Sequence, residues 1–222
     1  MTVVNIAQRR KSRVAVTFQP PPPKELAGAE YEGEKLLIDK TIAARCSITE
    51  GAVLSDDDVL QLVYVSECYR AKERAIWLLS GQDYSEKGLY LKLTKTYTER
   101  AAAFAVSQMV SRGYVSDSRF AAALVSSCKA KNMSRRGIAE KLVKSGISKE
   151  ISDSVLGEEN LFETDFERAL QLIKSKYINK ISTEENRKKT FAALMRRGFS
   201  YSDIKKAMEL SCNTDCFDEE IY

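Results

Sequence analysis

The chain has 222 residues, 44% of them hydrophobic and 30% charged, with a net charge of +4. That composition supports a sizeable buried core and excludes a disordered chain. No apolar run approaches the roughly 20 residues that span a bilayer, and residues 1–11 lack the apolar core of a secretory signal. A cytoplasmic protein with no membrane partner is therefore expected. Histidine is absent, which removes Ser-His-Asp and Cys-His catalysis, histidine-ligated zinc and most neutral-pH proton shuttles. Cys46, Cys68, Cys128, Cys212 and Cys216 are odd in number and mostly far apart, the pattern of reduced thiols. Only Cys212 and Cys216 are close, and nothing nearby completes a four-ligand site. Neither a metal nor a cofactor is expected.

All four prolines fall at residues 20–23, between two short apolar segments. Val14, Val16 and Phe18 alternate in the first, and Leu36, Leu37 and Ile38 make up most of the second. These segments predict a small N-terminal β element of two or three strands. A short helix at about 40–46 and a turn at Gly51 follow. Ser55 precedes Asp56, Asp57 and Asp58, a helix start in which the hydroxyl caps free N–H groups and the carboxylates meet the positive end of the dipole. The same carboxylates in a metal or nuclease cluster are the alternative, and capping is the simpler reading.

Beyond Ser55 the helical pattern is nearly continuous, and its breaks recur about every 50 residues at KLTKTYT (92–98), KLVKSGIS (141–148) and ALMRRGFS (193–200). Each break carries a leucine, then basic residues suited to a helix C-terminus, then an aromatic or isoleucine and a hydroxyl cap. Gly146 and Gly198 occupy the position where a left-handed backbone ends a helix. The first copy lacks that glycine and is one residue shorter, so its turn should differ. Three helices recur three times: about 69–80, 85–96 and 98–112, then 116–131, 134–145 and 148–156, then 163–177, 182–197 and 200–210. Capping-box spacings at Ser182–Glu185 and Ser200–Asp203 support the last two starts.

The expected fold is mainly α, with tandem three-helix repeats forming an elongated curved array after the small N-terminal β element. The expected segments are a β/α element at 1–54, repeats at 55–113, 114–157 and 158–211, and an acidic tail at 212–222. Phe104, Met109, Phe120, Leu124, Leu142, Phe166, Leu170, Ile173, Phe191, Leu194 and Ile204 are read as core. Trp77 and Tyr84 are read as packing between repeats. The tail is read as disordered.

Charge is unevenly placed. Residues 69–210 carry 27 basic and 17 acidic side chains, whereas residues 25–68 carry three basic and ten acidic and residues 211–222 carry four acidic. A negatively charged partner suits the helical region. The densest clusters are Lys129, Lys131, Arg135 and Arg136 with Lys141 and Lys144, and Arg187, Lys188 and Lys189 with Arg196 and Arg197.

An ordered set of segments resembles the RecX family of RecA regulators: AIWLL at 75–79, DYSE at 83–86, GYVSDSRFA at 113–121, IAEKL at 138–142 with KSGI at 144–147, and LMRRGFS at 194–200. Two positions depart from the family pattern: no glycine precedes Tyr97, and Gly81-Gln82 stand where members often carry a basic residue. The resemblance implies a non-enzymatic protein, and a monomer is expected. Its partner would be the RecA filament on DNA, in whose helical groove it lodges to restrain ATP hydrolysis, filament growth and strand exchange. Single- or double-stranded DNA is a further partner in this reading. The contact candidates are Arg135, Arg136, Lys141, Lys144, Arg187, Lys188, Arg196 and Arg197. The competing reading is a DNA-binding helical module that acts without RecA, for which the basic clusters alone suffice.

Overall fold

Val14, Val16 and Phe18 are buried along β2 (Arg13–Gln19). This strand lies within an antiparallel sheet of order β1-β2-β4-β3, whose other members are β1 (Thr2–Arg9), β3 (Glu30–Glu32) and β4 (Lys35–Asp39). The computed structural model describes residues 1–9, 12–157, 164–178 and 183–214, the last three by backbone alone. Four strands replace the two or three expected. A register shift between Val3 and Asn5 breaks the alternation of β1, and β3 is only three residues long, so neither gives a clear period-two signal.

Asp39 ends β4 and caps α1 (Lys40–Arg45), its Oδ1 accepting from the Thr41 N–H at 2.8 Å. Gly51 holds φ +87° and donates to the Val3 carbonyl at 2.8 Å, tying the expected turn to β1. Ser55 and Asp58 form a capping box at the start of α2 (Asp56–Gly81). Hydrogen bonds from Ser55 hold the Asp58 carboxyl below its usual range, so this carboxylate serves the helix start, as the capping reading requires.

The 26-residue α2 merges the leading helix with the helix expected from residue 69. Its first half buries Val59, Leu62 and Val63 against the sheet. Its second half buries Ala71, Ala75 and Leu78 against α3 (Glu86–Leu93) and α4 (Glu99–Ser111). Polar groups sit where the two halves meet. Ser66 Oγ accepts from the Asp39 N–H at 3.0 Å, and the buried Glu67 carboxylate accepts from the Thr98 N–H and hydroxyl, both at 2.7 Å. Arg70 donates to the Gly28 carbonyl at 3.1 Å and pairs with Glu30, which also pairs with Arg13. Burial lowers the pKa of both arginines from the usual guanidinium value. Each buried charge has a partner, as the cost of desolvation demands.

The chain divides into two compact units, Met1–Ser116 and Asp117–Tyr222. In the second, α5 (Asp117–Ala130), α6 (Arg135–Lys144) and α7 (Lys149–Gly157) enclose Val125, Ile138 and Leu142. A second core holds Ile173, Leu194, Phe199 and Ile204. It is built by α8 (Asp165–Leu172), a π-helical turn at Ile173–Tyr177, α9 (Glu184–Met195) and α10 (Tyr201–Thr214). Ser200 Oγ accepts from the Asp203 N–H at 3.0 Å at the start of α10. The cap of α9 differs from the expected Ser182–Glu185 box: Thr183 accepts from the Asn186 N–H at 3.4 Å. Ser182 lies outside the described residues, as do Glu163, Cys216 and the acidic stretch 215–222.

The recurring turns close as their residues dictate. Ile147 donates to the Leu142 carbonyl and Phe199 to that of Leu194, with Gly146 at φ +80° and Gly198 at φ +89°. In the glycine-free first copy, Tyr97 instead donates to the Leu93 carbonyl at 3.0 Å, a loop one residue tighter. Met109, Leu142, Ile173, Leu194 and Ile204 are fully buried. Phe120, Leu124, Phe166, Leu170 and Phe191 pack half-buried at the edges of these cores. Phe104 corrects the core reading, being 42% exposed, because Ala101, Ala102 and Ala105 take the inward face of α4. Trp77 likewise does not pack between repeats. It is 62% exposed, with the Arg74 guanidinium 4.1 Å from its ring, because Ala75 and Leu78 take the inward face of α2. Tyr84 packs against the first helical core. Among the described residues, no helix is long and apolar enough to cross a membrane.

The α5–α7 and α8–α10 layers meet backbone to backbone. Fully buried Ser134 caps α6 through the Gly137 N–H at 3.0 Å, and its own N–H donates to the Arg197 carbonyl at 3.0 Å. A Cβ on Gly137 would stand 2.6 Å from the Arg197 carbonyl oxygen, and one on Gly198 would strike the Gly137 backbone. Gly198→Ala should therefore destabilise the protein by about 2–4 kcal/mol, from strain at positive φ plus this collision. Gly81→Ala, where nothing lies within 4 Å of the new methyl, should change stability by less than about 1 kcal/mol. Urea unfolding of the two variants side by side checks the contrast.

Candidate partner-binding surface

The second unit holds all eight sequence-predicted contact residues, in different surroundings. Lys141 in the last turn of α6 and Arg196 and Arg197 just beyond α9 converge on one cleft of about 430 Å³, joined by Lys131, Met133, Tyr177 and Ala193. Among the described residues, four cations line it and no carboxylate does. Arg197 is held in place, its Nε donating to the Lys131 carbonyl at 3.3 Å and its Nη1 to the Ala193 carbonyl at 3.1 Å. Its guanidinium lies 6.0 Å from the Tyr177 ring. Arg196 is exposed and Lys141 half-buried, so charged heads reach solvent from a wall fixed by backbone contacts. Such a concentration of one sign attracts anions.

Arg135 and Arg136 have a different setting. Their backbone N–H groups donate to Asp165, at 2.7 Å to Oδ1 and 3.4 Å to Oδ2, so a carboxylate from the first turn of α8 meets the positive end of α6. The Arg136 side chain, though exposed and 3.8 Å from Glu140, reaches across the layer junction. Its Nε donates to the Gly198 carbonyl at 3.0 Å and its Nη2 to that of Phe199 at 3.2 Å. Lys144 is exposed at the end of α6.

Arg187 and Lys188 project from α9 into a second groove of about 740 Å³, with Phe191, Tyr201, Lys205 and Met208. Lys188 also lies 3.6 Å from Glu184. The structure thus joins Lys141, Arg196 and Arg197, separates them from Arg187 and Lys188, and gives Arg136 a structural load. Lys131 and Tyr177 are cleft residues that the contact reading omitted. The signal for Lys131 lay in the next residue: Asn132 holds φ +52° and turns the chain out of α5, as asparagine tolerates. Tyr177 read simply as the end of a helix. Among the described residues, no group of three Cys, Asp or Glu side chains is placed to hold a metal ion.

Comparison with known proteins bears on this unit directly. The family model described as RecX, third three-helix domain, matches residues 163–208, which include Tyr177 and the basic residues of α9 and the turn after it. A regulatory protein RecX from Trichlorobacter lovleyi is 31% identical over 150 residues, covering 65% of this chain and 95% of the relative. Another from Caldanaerobacter subterraneus subsp. tengcongensis is 31% identical over 165 residues, covering 74% of this chain and 82% of the relative. The chain belongs to the RecX family. A crystal structure of regulatory protein RecX superposes with a TM-score of 0.56 at 18% identity, covering 92% of this chain and 98% of the other, so the RecX fold extends over nearly all of it. These relatives carry the name of regulatory proteins.

The two roles of the basic residues separate by stability. Arg136→Ala, which leaves the Gly198 and Phe199 carbonyls without their donor, should cost about 1–2 kcal/mol in urea unfolding. Lys144→Ala and Arg196→Ala should each stay within about 0.5 kcal/mol of the parent.

Proposed function

We propose that this RecX-family protein binds the RecA filament on DNA, lodges in its helical groove and modulates, mainly by inhibiting, ATP hydrolysis, filament growth and strand exchange. Family membership carries the reading, and the cleft of Lys131, Lys141, Arg196 and Arg197 supports it chemically. Acidic protein surface and DNA phosphate are both ligands for such a cleft. Contacts of this kind set register, association rate and salt dependence more than raw affinity. In this reading the three-helix units at 55–113, 114–157 and 158–211 act as linked contact points. A monomer touching neighbouring protomers through several of them gains effective concentration with each contact. The protein acts in the cytoplasm without catalysis of its own, and Arg135, Lys144, Arg187 and Lys188 are further contact candidates outside the cleft.

The cation cleft also favours a second reading, a DNA-binding module independent of RecA. The DNA-dependent ATPase rate of RecA, titrated with this protein, separates the two. The regulator lowers the rate well below one-to-one stoichiometry, and Lys141→Glu with Arg196→Glu should raise the half-inhibiting concentration about tenfold without altering the melting temperature. An unchanged ATPase rate, together with tight DNA binding that falls steeply with salt, would establish the module instead.

A further inference from the structure

The same groove occurs twice along this chain. In the first compact unit, α3 and α4 leave an open groove of about 620 Å³, with Lys87 and Tyr90 on one wall and Ala103, Val106 and Val110 on the other. The α9–α10 groove stands at the same place in the last repeat. Lys87 and Tyr90 precede Leu93 of the recurring turn by six and three residues, as Lys188 and Phe191 precede Leu194. On the other wall, Val106 lies eight residues beyond the capping Thr98 and Met208 eight beyond Ser200. A rim lysine, a half-buried ring and an aliphatic side chain therefore recur at matched positions. The surroundings differ, with Glu86 where the last repeat has Arg187 and Ala103 where it has Lys205. The common set, rather than the whole rim, defines what both grooves can hold.

The fold alone does not demand this set. In the middle repeat the ring position before Leu142 is Ala139, and α5–α7 enclose their core without a ring there. The lysine position is Arg136, whose guanidinium is engaged by the Gly198 and Phe199 carbonyls. In the two grooves, by contrast, apolar surface is left in water: Val110 is 36% exposed in one and Tyr201 64% exposed in the other. Apolar walls under a lysine favour an occupant that buries an apolar side chain and brings a carboxylate to the ammonium group. A monomeric partner presents such a segment once, whereas a polymer presents it once per protomer.

We propose that the α3–α4 and α9–α10 grooves each take the same short segment, an apolar side chain beside a carboxylate, from different protomers of one polymeric partner. This rests on the RecA reading, in which the polymer is the filament, and assigns the contact to surfaces other than the cation cleft. Lys87 and Lys188 meet the carboxylate. Tyr90 with Val106, and Phe191 with Met208, receive the apolar side chain. A linked contact with a dissociation constant of about 100 µM, at an effective concentration of about 1 mM, multiplies affinity about tenfold.

The test is equilibrium co-sedimentation of the full chain with RecA filaments on single-stranded DNA. Ser107→Trp and Ala192→Trp each plant a large ring in one groove from an exposed position. Each should weaken binding about tenfold and the two together about a hundredfold, with melting temperatures unchanged. Lys87→Glu and Lys188→Glu, which reverse charge without adding bulk, should reproduce these losses and serve where a tryptophan variant melts early. Filaments that bind the parent and the variants of either groove equally well overturn the proposal and leave the RecA reading standing. A parent that does not bind the filament overturns both. A parent dimer that the tryptophan variants dissociate in the absence of RecA would make the occupant a second copy, and also overturns the proposal.

Discussion

Two glycines with no side chains between them set how closely the α5–α7 and α8–α10 layers can approach. Gly198 must adopt a left-handed backbone to end its turn, and in doing so lies against Gly137 in the first turn of α6. That proximity lets the Ser134 N–H reach the Arg197 carbonyl and the Arg136 guanidinium span the Gly198 and Phe199 carbonyls. Carbonyls at a helix end are left without intrahelical donors. Here the neighbouring layer supplies them, so one turn serves both as a helix terminus and as the seam between layers. The placement of Arg197, and through it the wall of the cation cleft, follows from the same contact.

The first unit is joined by different means. Where α2 passes from the sheet to the helical layer, apolar packing gives way to Ser66, Glu67 and Arg70, each satisfied by a group from another element. Such a junction is directional. A slide of α2 by one turn would keep much of its apolar contact yet leave buried charges without partners, a severe penalty. Register is thus fixed by polar groups and adhesion by apolar ones.

Most of the helical layout was legible because its signals are local. Capping hydroxyls at Ser55, Ser85, Thr98 and Ser134, and the left-handed glycines at 146 and 198, act within one turn of the chain, and each stands where the sequence places it. The failures were of longer range or weaker period. The bulge in β1 hid a strand, and the alanines of α4 claimed the inward face that Phe104 was expected to fill. The basic clusters were visible as composition, but their division between a cleft, a groove and a layer seam was not. Whether a guanidinium faces solvent or a neighbouring carbonyl depends on residues some 60 positions away, as Arg136 shows with Gly198 and Phe199. Spacing along the chain carries no trace of that choice.

The length of α2 has a consequence for how the N-terminal sheet relates to the rest of its unit. The same helix supplies Val59, Leu62 and Val63 to one core and Ala71, Ala75 and Leu78 to the next. Melting either core strips a wall from the other, and the polar junction midway resists fraying from both ends. Through α2, the sheet and the four helices α1–α4 are coupled in their opening, the kind of cooperative unit that native-state hydrogen exchange samples. An N-terminal element that looks like an appendage in the sequence thus shares a core wall with the helices that follow it.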